Sequence, residues 1–185
     1  VGGVMSLERI KQLRLHLDDF DELIRQLNAR LAKSPRMKYF LTYTLALSGR
    51  RVGEVLKLRV ADIDFENHRV TWHIEKKKTP MYLTLPMPSK WFVIAQDYIV
   101  LNKITNELFP ISYITAWRWV KEVTNELIGV PLHPHDLRHL FAMKMLLETR
   151  DYELTRRWLA HEDLELVLYY AKVVGVEVRE YPFEV

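Results

Sequence analysis

The sequence predicts an α+β domain, mainly helical, with one small antiparallel β-sheet, and three observations carry that expectation. Apolar residues recur at spacings of three and four along most of the chain, the period of helices that bury one face. Within the body of the chain, strict alternation is confined to two neighbouring runs at 68–74 and 81–85, the pattern of a hairpin. Hydrophobic residues make up 49% of the 185 positions, enough for one well-buried core.

The chain opens with Val1-Gly2-Gly3-Val4, which patterns with neither helix nor strand, and residues 1–16 are expected to be a leader to a domain at 17–175. Leu23, Ile24, Leu27 and Leu31 mark a first core helix that Asp18 or Asp19 is placed to cap. Ser34 and Pro35 punctuate it, and 37–47 follows as a largely buried helix stopped by Ser48 and Gly49. A short helix at 52–58 leads through Asp62-Ile63-Asp64 into the hairpin, whose tip, Lys76-Lys77-Lys78-Thr79-Pro80, is basic. From Pro88 onward the pattern is helical, with runs at 90–100, 113–128, 136–148, 153–160 and 163–173. Residues 176–185 are expected as a tail, whose alternation over Val176-Glu177-Val178-Arg179-Glu180 suits an edge strand or docking onto a neighbouring molecule.

Composition narrows the chemistry. With no cysteine, disulfides, zinc-thiolate sites and thiol nucleophiles are excluded. Lysine and arginine exceed aspartate and glutamate by 27 to 24, a net charge of +3 that suits a nucleic-acid partner without demanding one. No apolar run approaches the ~20 residues of a membrane span. The first five residues lack the charged and hydrophobic regions of a signal peptide, so the expected location is cytoplasmic, with no membrane partner.

Three places carry candidate chemistry. Arg51 follows the Ser48-Gly49 stop and precedes Glu54 by three residues; its guanidinium suits bidentate contact with a phosphate, and the plainer alternative is an ion pair with Glu54. In His135-Asp136-Leu137-Arg138-His139, His135 and Arg138 share one helix face just after Pro134, and helix N-termini favour anions. His133, His135 and Asp136 also suit metal ligation, but no further ligand cluster stands out to complete such a site. Leu159-Ala160-His161 ends one helix, and Tyr170 comes nine residues after that histidine, in an apolar helix that also carries Tyr169. Adjacent helical residues point about 100° apart, so only one of the two tyrosines can face a given site.

Taken together, Ser48-Gly49-Arg50-Arg51-Val52-Gly53-Glu54, a hairpin lysine, His135-Asp136-Leu137-Arg138-His139, Leu159-Ala160-His161 and Tyr170 resemble the tyrosine recombinases, or phage-type integrases, over roughly 17–173. The resemblance implies the catalytic-domain fold of that family. It implies site residues Arg51, Lys78 (or Lys76 or Lys77), His135, Arg138, His161 and Tyr170, with Glu54 structural and Arg50 in a variable slot. Two departures are Ala160, where the family usually has glycine, and Leu140, where serine or threonine often stands.

The implied reaction is cleavage and rejoining of DNA strands through a 3′-phosphotyrosine on Tyr170, without metal, ATP or any cofactor. Arg51 and Arg138 would clamp the phosphate oxygens with a hydrogen bond from His161. Lys78 would protonate the leaving 5′ hydroxyl, and His135 would help deprotonate the nucleophile. The implied partners are double-stranded DNA and further copies of the chain in a tetramer on paired sites, with no small-molecule substrate. A type IB topoisomerase-like nicking and resealing activity and an inactive DNA-binding accessory protein are the alternatives. The resemblance also leads to the expectation that residues 1–16 link to an N-terminal DNA-binding domain absent from the chain. The lack of cysteine and scarcity of glutamine fit a heat-tolerant source, such as an archaeal virus, plasmid or dimer-resolution system.

Overall fold

The computed structural model describes residues 2–75, 78–160 and 162–176. Its helices are α1 (Gly2–Leu13), α2 (Leu17–Lys33), α3 (Met37–Ser48), α4 (Val52–Leu56), α5 (Ser89–Leu101), α6 (Tyr113–Ile128), α7 (Pro134–Thr149), α8 (Tyr152–Trp158) and α9 (Leu164–Val173). Between α4 and α5 lies an antiparallel sheet of strands β1 (Ile63–Asp64), β2 (Arg69–Ile74) and β3 (Met81–Pro86), in the order β1-β2-β3. The architecture is the mainly helical α+β fold that the patterning predicts.

Helix α3 is the hub, because its sequence is apolar on nearly every side: residues 39–46 and Ser48 are all buried. Its two buried threonine hydroxyls satisfy themselves by donating to carbonyls one turn back, Thr42 to Lys38 at 2.9 Å and Thr44 to Phe40 at 2.8 Å. Phe40 packs against Trp91 and Tyr98 of α5 at ring separations of 5.5 and 4.7 Å, and the Trp91 indole N–H donates to Thr44 Oγ1 at 2.9 Å. Helix α2 lays Phe20, Leu23, Leu27 and Leu31 against this hub as a single stripe. In β2, Val70, Trp72 and Ile74 point into the core while Arg69, Thr71 and His73 face outward, and the register sets Val70 opposite Leu85 and Trp72 opposite Leu83.

Several expectations need correction. Residues 2–13 form a helix, α1, although the two glycines gave no helical pattern; Ile10 and Leu13 are fully buried, and packing of that face overrides low propensity. Arg9 of α1 grips Asp136 of α7 with two hydrogen bonds, Nε to Oδ1 at 3.0 Å and Nη2 to Oδ2 at 2.8 Å, and the backbone carbonyl of Leu7 accepts from the Tyr169 hydroxyl of α9 at 3.1 Å. Asp18 and Asp19 do not cap α2, which begins at Leu17; they sit in its first turn, where their charge opposes the positive end of the helix. The short strand β1, pairing Ile63 with Val70, was not foreseen. The possible edge strand at 176–180 falls almost wholly outside the described residues, as do Lys76 and Lys77 at the hairpin tip.

The stop after α3 is fixed by Gly49, whose φ of 66° is left-handed and whose missing Cβ would lie 2.3 Å from the Phe141 ring of α7. Gly49→Ala therefore meets both a backbone penalty and a clash. It is expected to lower unfolding stability by about 2 kcal/mol or more, read as a lower urea midpoint at unchanged slope.

Candidate active site

The stop at Gly49 delivers Arg50 and Arg51 to one end of the core. Glu54, one turn into α4 and fully buried, accepts the Arg51 backbone N–H on Oε1 at 3.0 Å and the Glu75 backbone N–H on Oε2 at 3.1 Å. One carboxylate thus ties the arginine turn to the end of β2, where the lysine hairpin begins. Gly53 leaves room for this junction, since a Cβ there would fall 1.6 Å from the Glu75 carboxylate. Both the Arg50 and Arg51 guanidiniums lie 3.8 Å from Glu54.

Arg138, on α7, enters the same region from the other side. It is 1% exposed, and its hydrogen bonds go to the Gly49 carbonyl (2.7 Å), the Leu159 carbonyl (2.9 Å) and Glu162 Oε2 (2.9 Å). Arg51 Nη2 donates to the same Glu162 oxygen at 3.0 Å. Two guanidiniums from elements distant in sequence therefore share one oxygen atom, which is the geometry of an anion site. Burial alone would raise the Glu162 carboxyl, but the Arg138 hydrogen bond and the charges of Arg138 and Arg51 overcome it and hold the group below the usual carboxylate range.

His135 and Arg51 line a recess together with Glu75, Tyr113 and Trp117. The His135 imidazole is pushed down to about 4 by the protein packed around it and by the positive charges of Arg138 and Arg51. Tyr170 is 1% exposed, and its hydroxyl lies 2.7 Å from Nδ1 of His139, whose ring meets the His135 ring edge-on at 4.5 Å. Burial raises the phenol well above its ordinary value, so the hydroxyl keeps its proton and donates to the histidine when the ring carries its hydrogen on Nε2. Lys78 is exposed on the turn between β2 and β3, and His161 lies outside the described residues.

The structure thus brings Arg51, Arg138 and His135 into one neighbourhood, and holds Tyr170 against His139. His133 and Asp136, weighed as metal ligands, have structural partners instead: the His133 ring stacks on Trp117 at 5.0 Å, and Asp136 accepts from Arg9 and from the His133 backbone.

Three residues here had no assigned role in the sequence reading. Arg50 is fully packed, donates to the Trp158 carbonyl, and is pushed down to about 10 chiefly by burial, against the pull of Glu54. His139 carried a signal, a histidine one turn beyond His135 in an apolar helix. Glu162 carried another, an acid placed directly after His161.

Ala160 adopts φ 62°, a left-handed conformation that glycine, the residue the resemblance leads one to expect there, takes without penalty. Ala160→Gly relieves this strain and is expected to gain about 1 kcal/mol in denaturant unfolding. His139 is pushed down to about 3, first by burial and then by His135, so it is neutral in the folded protein at pH 7. A histidine with a lowered folded value contributes stability that is full above about pH 6.5, its unfolded value, and is lost as pH falls toward 3. The melting temperature is expected to drop between pH 7 and pH 5. In His139→Asn, which keeps an acceptor for Tyr170, that drop shrinks.

The model of the phage integrase family matches residues 14–175. The tyrosine recombinase XerA of Saccharolobus solfataricus is 28% identical over 170 residues, covering 91% of this chain and 57% of that protein. A crystal structure of XerA recombinase superposes with a TM-score of 0.67 at 22% identity, over 81% of this chain and 56% of that one. The XerH recombinase bound to its difH substrate in a pre-cleavage complex superposes with a TM-score of 0.65 at 20% identity, over 84% and 48%. This chain therefore spans little more than half the length of the relatives it matches. With most of its residues under one family model and a fold shared with these recombinases, the chain belongs to the phage integrase family.

Proposed function

We propose that residues 17–175 form the catalytic unit of a site-specific DNA recombinase that cuts and rejoins strands through a 3′-phosphotyrosine. The observation that supports this most is the shared anion position between Arg51 and Arg138. A tetrahedral phosphate presents two non-bridging oxygens, and two forked guanidiniums suit both the diester and the extra charge that gathers as phosphorus becomes five-coordinate.

In the proposed reaction Tyr170 gives up its hydrogen bond to His139, and its oxygen bonds to phosphorus as the bond to the 5′ oxygen breaks. His135 assists removal of the phenolic proton, and a hairpin lysine, Lys78 in the first instance, supplies the proton to the departing 5′ hydroxyl. His161 adds a hydrogen bond to the phosphate. A 5′ hydroxyl from a second strand reverses the step, so bond energy is conserved and no ATP is consumed. The partner is double-stranded DNA, and strand exchange between two duplexes calls for four copies of the chain on paired sites.

The test uses duplexes carrying a nick beside the cut position, which traps the cleaved state. Incubation with EDTA present is expected to leave a denaturation-resistant protein–DNA adduct that Tyr170→Phe abolishes. Arg138→Ala should lower its rate by about 100-fold or more. An adduct that persists in Tyr170→Phe would sink the assignment of the nucleophile.

A further inference from the structure

We propose that Glu162 is an internal substitute for phosphate: its carboxylate occupies the anion position of the Arg51–Arg138 clamp, and a phosphate enters only by displacing it. The inference rests on the reading of that clamp as the phosphate site.

Three observations carry it. Both guanidiniums direct Nη2 at one oxygen, Glu162 Oε2, at 3.0 and 2.9 Å, so the clamp is fully engaged by the protein's own side chain. That side chain is only 16% exposed and lies between arginines that are 12% and 1% exposed, so an incoming anion cannot share the position with it. Two residues before Glu162, Ala160 is held in a left-handed conformation, and directly after it Asp163 caps α9, so the carboxylate stands between a strained residue and a helix start.

The placement also joins two events. Glu162 stands just before α9, and α9 carries Tyr170, which is buried against His139. While Glu162 bridges the arginines, the start of α9 is pinned to α7 through Arg138. When phosphate takes its place, that pin is released, and α9 loses one of the restraints that keep the nucleophile inside. Arrival of the phosphate and release of the tyrosine become one exchange of anions at a single site.

A tethered carboxylate competes at an effective concentration on the order of millimolar, so removing its charge should tighten anion binding markedly. The experiment is a calorimetric titration of inorganic phosphate into the chain and into Glu162→Gln, each with and without Arg51→Ala. Glu162→Gln is expected to bind phosphate about tenfold tighter or more, and Arg51→Ala is expected to remove that gain. Equal or weaker binding by Glu162→Gln, while Arg51→Ala still weakens binding by the parent chain, overturns the substitution idea and leaves the clamp reading intact. Binding that is indifferent to Arg51→Ala in both backgrounds overturns the clamp reading and the inference with it.

A second measurement covers the case in which Glu162→Gln folds poorly. Adding saturating phosphate to the unmodified chain is expected to speed amide hydrogen exchange in α9. Unchanged or slower exchange there would count against displacement of Glu162.

Discussion

Positive charge crowded into a protein interior is the constraint around which this domain is arranged. The guanidiniums of Arg50, Arg51 and Arg138 lie at one end of the core, two of them almost without exposure. Among the described residues the carboxylates that meet them are Glu54 and Glu162, and the contacts run as a single alternating row: Arg50 with Glu54, Glu54 with Arg51, Arg51 with Glu162, Glu162 with Arg138. Desolvating like charges side by side is costly unless opposite charge or oriented dipoles intervene. Three cations against two anions leave the row with one positive charge in excess, a standing attraction for an added anion.

Oriented dipoles supply the remainder. Arg138 donates to the carbonyls of Gly49 and Leu159, and Arg50 donates to that of Trp158; these are residues at the C-terminal ends of α3 and α8. The last carbonyls of a helix lack partners within it and carry the negative end of its dipole. Each guanidinium is thus a cap as well as a charge, and α3 and α8 must both stop at this spot for the site to exist. The left-handed residues Gly49 and Ala160 are what make them stop.

Much of the fold was legible because burial leaves a periodic trace. Helix α6 spans the predicted 113–128, and the hairpin strands and the helices from α5 to α9 lie within a few residues of their expected bounds. What escaped had no such trace. The start of α1 is rich in glycine, and its helical state follows from Ile10 and Leu13 meeting residues far along the chain. Of the site, Arg51, Arg138 and His135 were legible as a spaced pattern, and the structure sets them close together. The engagement of Glu162 by both arginines, and of Tyr170 by His139, depends on α9 crossing α7. No local pattern encodes which side chains face each other across such a crossing.

Helix α1 is fastened at two points: Arg9 to Asp136 on α7 and the Leu7 carbonyl to Tyr169 on α9. Asp136 lies two residues before Arg138, and Tyr169 is the immediate neighbour of Tyr170. Helix α1 is thus coupled at once to the helix that carries Arg138 and to the helix that carries Tyr170. Mechanically, α1, α7 and α9 are one linkage.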